Sequence, residues 1–171
     1  MYRGWALVEQ GQGKEGIAQI RQGLTAYRAT GAEMAVPYFL ALLAEAYGKV
    51  GEAEHGLAAL GEALAQAEQT GERWYEAELY RLKGELLMAQ EGPKGKTEEV
   101  EQCFQQALSI ARRQSARSLE LRAATSLARL WQQQGKQQEA HQLLSEIYHW
   151  FTEGFDTKDL QEAKALLEQL T

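Results

Sequence analysis

The side chains that most often carry chemistry are sparse in this chain. Histidine occurs at His55, His141 and His149, and cysteine only at Cys103. A zinc-type site needs ligands at close spacing, such as two histidines one helical turn apart, and no such pair is present. His141 and His149 are eight positions apart, which could place them on one helical face without making a ligand set. Cys103 precedes Phe104 and has no histidine–acid partner in sight, so it reads as a small packing residue rather than a nucleophile. A single thiol forms no internal disulfide and suits a reducing compartment. Gly11, Gly13 and Gly16 make a loose G-x-G-x-x-G, but that turn cradles phosphate only between a strand and a helix, and both flanks here have helical patterning. Carboxylates are abundant, at spacings that read as a solvated helix face. No catalytic residue, cofactor or metal site is expected. Arginine offers more, because its planar fork matches carboxylate and phosphate; Arg112, Arg113, Arg117, Arg122 and Arg129 cluster in one stretch. The net charge of −6 and pI near 5.2 give no general attraction for nucleic acid or an anionic membrane.

The elements that would position these groups are helices. Ala, Leu, Glu, Gln and Arg dominate, Asn is absent, and prolines occur only at Pro37 and Pro93. Leu40, Leu43, Ala44, Tyr47 and Val50 recur at helical spacing, as do Leu57, Leu60, Ala63, Leu64 and Ala67. No apolar run approaches the roughly 18–20 residues of a membrane span, and the first residues lack a signal-peptide pattern; a cytoplasmic protein is expected. The periodicity and its glycine breaks predict helices over 2–10, 14–30, 33–50, 53–70, 72–91, 96–115, 117–134, 137–152 and 157–169. Gly31 and Gly71 fit the left-handed residue that ends a helix, and Gly51 and Gly135 fit tight turns between paired helices. Pro37 falls in or near a first turn, where a missing N–H is tolerated, and Asp156 or Thr157 can cap the last helix.

The chain also repeats itself at a spacing of forty residues. Gly11 to Ile17 aligns with Gly51 to Leu57, and Thr30-Gly31 with Thr70-Gly71. Equivalent positions Ile20, Leu60, Phe104 and Leu144 are spaced by forty, forty-four and forty, with the extra residues assigned to the turn-rich segment Gly92-Pro93-Lys94-Gly95-Lys96. A fixed period of this kind implies stacked copies of a unit that cannot bury its apolar face alone. The units run approximately 1–32, 33–71, 72–116 and 117–155 within a single domain, 1–171.

Within each unit the order of large, small and aromatic residues resembles the tetratricopeptide repeat. The second unit has Leu40, Leu43, Ala44 and Tyr47, then Gly56, Leu60 and Ala63; the fourth has Ala124, Leu127, Ala128 and Trp131, then Ala140 and Leu144. Gly4, Ala44, Gly84 and Ala128 would face Gly16, Gly56, Val100 and Ala140 where paired helices approach. Lys83 and Ile147 depart from the pattern. The long period, with Gly4-Trp5-Ala6-Leu7, Tyr38-Phe39-Leu40 and Ala77-Glu78-Leu79-Tyr80, is similar to the C-terminal repeat region of bacterial signalling proteins with a predicted ATPase domain, often fused to a nucleotide cyclase, and to the long repeats of maltose-regulon-type activators. The short first helix suggests a fragment of a larger chain.

The resemblance implies an all-α fold: a right-handed tetratricopeptide-like α-solenoid of four helical hairpins plus a C-terminal capping helix. It also implies that the first helix of each hairpin lines a concave groove. Phasing from the small positions then nominates Tyr38, Glu45, Lys49, Glu78, Arg81, Glu85, Arg122, Arg129, Gln132 and Gln133, together with Trp5, Val8, Glu9, Ala41, Met88 and Thr125. Arg81, Arg122 and Arg129 are expected either to pair with neighbouring carboxylates or to hold an anionic ligand. The peptide-carboxylate clamp of some such grooves uses Asn and is not reproduced. Trp74, Tyr75, Trp131, Tyr148, Trp150 and Phe151 read as inter-repeat packing. The implied function is a non-catalytic protein- or peptide-binding or effector-sensing module of bacterial signalling, or else a scaffolding region. Self-association through an uncapped N-terminal face, with Ala6, Leu7, Ile17 and Leu24 partly exposed, is a further expectation.

Overall fold

The computed structural model describes residues 1–91 and 97–171; the Gly92–Lys96 insertion lies outside them. The described residues form α-helices α1 (Tyr2–Glu9), α2 (Gly13–Ala29), α3 (Val36–Lys49), α4 (Ala53–Thr70), α5 (Glu76–Glu91), α6 (Thr97–Arg113), α7 (Arg117–Gln133), α8 (Gln137–Tyr148) and α9 (Lys158–Gln169), with no strand among them. Pairing follows the chain: α1 with α2, α3 with α4, α5 with α6, α7 with α8. Beyond these pairs, α1, α3, α5 and α7 also touch one another in sequence, whereas α2, α4, α6 and α8 do not. The odd helices therefore form the tight inner layer and the even ones the splayed outer layer. That difference in spacing is what curves the stack.

Register survives across the insertion. Ile20, Leu60, Phe104 and Leu144 retain no solvent exposure, so each second helix drives an equivalent side chain into the core. At the first hairpin a Cβ on Gly4 would stand 2.6 Å from the Gly16 carbonyl oxygen, and one on Gly16 would stand 2.5 Å from that of Gly4. Only glycine permits that approach. In the third unit the small residue serves a different neighbour: the space above Gly84 is filled by the Phe104 ring, 2.5 Å from a hypothetical Cβ, not by Val100.

Several boundaries differ from expectation for identifiable reasons. Helix α3 begins at Val36, not 33, because Ala35 adopts a left-handed conformation (φ 62°) and Pro37 sits at the helix start. A helix running back to residue 33 would bring the proline ring against the carbonyl four residues earlier. The Ala35 N–H is instead taken by the Glu72 carboxylate at 2.7 Å, a tie between successive units. Helix α5 likewise begins late, at Glu76, and α8 stops at Tyr148. Thr157 occupies the cap position of α9, but its hydroxyl donates to the Gly154 carbonyl at 2.7 Å and caps no N–H. Ile17 and Leu24 are buried rather than partly exposed, because α3 packs over α2; Ala6 and Leu7 stay half-buried. Trp74 and Trp150 are 52% and 55% exposed, so two of the expected packing aromatics lie at the surface.

Candidate functional site

The inner layer encloses a cleft of about 580 Å³, within the size range of ligand sites. Each inner helix contributes one stripe. Trp5 and Glu9 come from α1. Tyr38, Leu42, Glu45 and Lys49 lie one helical face apart on α3. Arg81 and Glu85 come from α5, with Tyr75 just ahead of it; Arg122, Thr125, Ser126 and Arg129 come from α7. The far end is closed by α9, which packs on α7 and α8 and presents Lys158, Asp159 and Glu162.

Beneath the floor lies Glu78, only 1% exposed. Its carboxylate accepts from Arg81 Nε at 2.9 Å and from Arg81 Nη2 at 2.7 Å, and Arg122 Nη2 is 2.8 Å away. Arg81, 7% exposed, also pairs with Glu85, whose Oε1 accepts the Ser126 hydroxyl at 2.8 Å. Burial opposes the Arg81 charge, but the hydrogen bonds and charge of Glu78, with Glu85 behind them, outweigh it and hold the guanidinium protonated above its ordinary value. Arg129 donates to Glu162 at 2.8 Å, tying α7 to α9. That hydrogen bond holds the Glu162 carboxyl below the usual carboxylate range, against the opposing effect of burial.

The end nearer the N-terminus is aromatic. Tyr38 and Tyr75 meet edge to face at 4.9 Å, Tyr2 is 6.3 Å from Tyr38, and Trp74 is 5.6 Å from it at the rim. Trp5 Nε1 approaches Glu45 Oε2 at 3.4 Å. The Lys49 ammonium pairs with Glu9, lies 3.5 Å from Glu45, and stands 5.7 Å from the Trp5 ring centroid. Burial, then the Lys158 charge, pushes the Lys49 ammonium below its ordinary value. Burial and then Tyr2 raise the Tyr38 phenol, with Glu45 adding to it.

The structure thus brings together Tyr38, Glu45, Lys49, Arg81, Glu85, Arg122 and Arg129, with Trp5, Glu9 and Thr125. Glu78 lies under the surface instead of on it. Gln132 and Gln133, about one turn beyond Arg129 on α7, fall outside the lining, and Val8 and Ala41 are buried in the core. Sequence reasoning missed Tyr2, Leu42, Tyr75 and Ser126. It also missed the whole contribution of α9, whose only signal is the i, i+3 spacing of Asp159 and Glu162. Elsewhere, Cys103 is buried and burial pushes its thiol up. Among the described residues no cluster of metal-ligating side chains assembles, and no helix is long and apolar enough to cross a membrane.

No protein-family profile matches the chain. An uncharacterized protein of Rhizobium meliloti (strain 1021) is 30% identical over 130 residues; the match covers 76% of this chain and 12% of that relative. Two crystal structures of nearly identical TPR-like repeats from a putative kinesin light chain of Podosopora anserina superpose with TM-scores of 0.69 and 0.68. Both are 21% identical and cover 99% of this chain and 90% of theirs. At that identity the likeness speaks to architecture, and it agrees with the inner and outer helix layers: the chain has the fold of a TPR-like α-helical repeat solenoid.

Proposed function

We propose that this chain is a non-catalytic interaction module that captures a protein or peptide segment in the cleft between its inner helices and α9. The observation that carries this reading is the preorganised cleft itself. Its floor is locked by Glu78, Arg81, Glu85 and Ser126, so binding orders little that is not already ordered. Its walls combine exposed aromatic faces with paired charges, which offer both donors and acceptors. The Ser126 hydroxyl does meet the Glu85 carboxylate, but that carboxylate is already paired with Arg81, so the contact serves the floor of the cleft. The reading as one module of a longer bacterial signalling or regulatory protein, and a cytoplasmic location, draws on the resemblance in the repeats and on a matched stretch that forms 12% of a bacterial relative. A small effector is the alternative occupant of the same cleft. Docking of a second copy on the half-buried Ala6–Leu7 end is the structural alternative.

A random-peptide display screen, with hits measured by fluorescence polarisation, tests the proposal. Hits should lose affinity for Tyr38→Ala and Trp5→Ala variants that melt normally. Hits that bind wild type and both variants equally place the binding surface elsewhere and reject the cleft. Light scattering over a dilution series separates the self-association alternative, which requires a mass that rises with concentration.

A further inference from the structure

Resting on that reading of the cleft, we infer that its aromatic end takes a cation: a lysine or arginine side chain of the bound peptide, with Glu45 as counter-ion and Trp5, Tyr38 and Tyr75 as walls. The argument is one of charge already spent. At the α7–α9 end, Arg81, Arg122, Arg129 and Lys158 face Glu78, Glu85, Asp159 and Glu162. Four cations meet four carboxylates, which leaves that end no surplus positive charge with which to attract a further anion.

At the aromatic end the balance differs. Glu9 and Glu45 share the single ammonium of Lys49. Glu9 pairs with it, and Glu45 has two long contacts, 3.4 Å to Trp5 Nε1 and 3.5 Å to Lys49. One carboxylate is therefore under-used, beside several aromatic rings. Aromatic faces attract cations, most strongly where water is displaced. Lys49 already demonstrates the chemistry within the molecule, since its ammonium lies over Trp5 between two carboxylates. An incoming cation would complete the Glu45 side of that arrangement. The salt-bridged floor beyond offers donors and acceptors together, which suits a peptide backbone carrying both.

The test uses the whole chain and three blocked pentapeptides, Gly-Gly-X-Gly-Gly with X Lys, Glu or Leu, plus n-butylammonium. The readout is the Trp5 indole N–H resonance, assigned with Trp5→Phe and titrated to millimolar peptide. The Lys peptide should shift it saturably and more tightly than the others. Glu45→Gln should weaken that binding by at least about tenfold, as loss of a charged partner does. Lys49→Met, which removes the internal competitor, should tighten it, so the two variants move in opposite directions while both keep the native helical signal. Equal or tighter binding of the Glu or Leu peptide overturns the cation and leaves the cleft standing. Butylammonium binding as tightly as the Lys peptide overturns the peptide as its source. A Trp5 resonance silent to all probes overturns both the cation and the cleft.

Discussion

Replacing Glu78 by Gln removes one charge and almost no volume, which isolates what that carboxylate does. In the wild type it accepts two bonds from Arg81 and stands 2.8 Å from Arg122. A glutamine oxygen can keep one of these; its amide group turns donors toward donors. Hydrogen bonds to charged groups contribute about 1.5–3 kcal/mol each. Arg122 is 29% exposed and can turn toward water and Asp159, which discounts its share. Arg81 retains Glu85 but has almost no access to solvent. The net loss expected is about 3 kcal/mol, at the lower edge of what breaking a buried ion pair costs. For a chain of this length that corresponds to a fall of about 6–12 °C in Tm, read by circular dichroism, with a lower denaturation midpoint at unchanged slope. A double variant, Glu78→Leu with Arg81→Met, should recover most of the loss, because the penalty belongs to the stranded guanidinium and not to missing contacts. A Glu78→Gln protein within about 0.5 kcal/mol of wild type, the range of ordinary surface changes, refutes the idea that this cluster holds the floor together. A double variant less stable than Glu78→Gln refutes the electrostatic explanation.

Other consequences follow from the same structure. Ser115 occupies the left-handed position after α6 (φ 54°) where Gly31 and Gly71 stand in earlier units; Ser115→Gly should stabilise by about 0.5–1 kcal/mol in equilibrium denaturation, since a left-handed Cβ costs about 1–2. Gly16→Ala should destabilise by more than about 1 kcal/mol in the same assay, because the new methyl meets the Gly4 carbonyl and the Val8 backbone. Glu162 has a folded-state pKa depressed below 4.5, so its contribution is complete above 4.5 and lost as pH falls through the folded value; protection of α9 amides, taken relative to their intrinsic exchange at each pH, should fall in that window, and Arg129→Met should reduce the pH dependence. The buried thiol of Cys103 should resist an aromatic disulfide reagent near pH 8 and react fully once the chain is unfolded.

How much of this could be read beforehand varied by the range of the interaction involved. The repeat spacing, the turn glycines and the four equivalent core positions are local patterns. Stacking simply copies them, so an all-α solenoid was legible in the chain. The inward stripe of α3 was legible for the same reason: helical phase carries from Ala44 to Tyr38, Glu45 and Lys49. Phase alone could not say how far along each helix the groove stays open. Gln132 and Gln133 keep the expected phase on α7 yet stand outside the cleft.

Tertiary structure decided the rest. The terminal helix α9 belongs to no repeat, so its packing on α7 and α8, and the entry of Lys158, Asp159 and Glu162 into the cleft, came from three-dimensional docking rather than period. Residue types alone likewise left two fates open for Arg81, Arg122 and Arg129. Their acceptors lie on the same helix, on the neighbouring one and on α9. Arg81 meets its carboxylates within α5, but only the assembled stack brings Glu78 to Arg122 and Glu162 to Arg129, and charge neutrality depends on distance, not on composition.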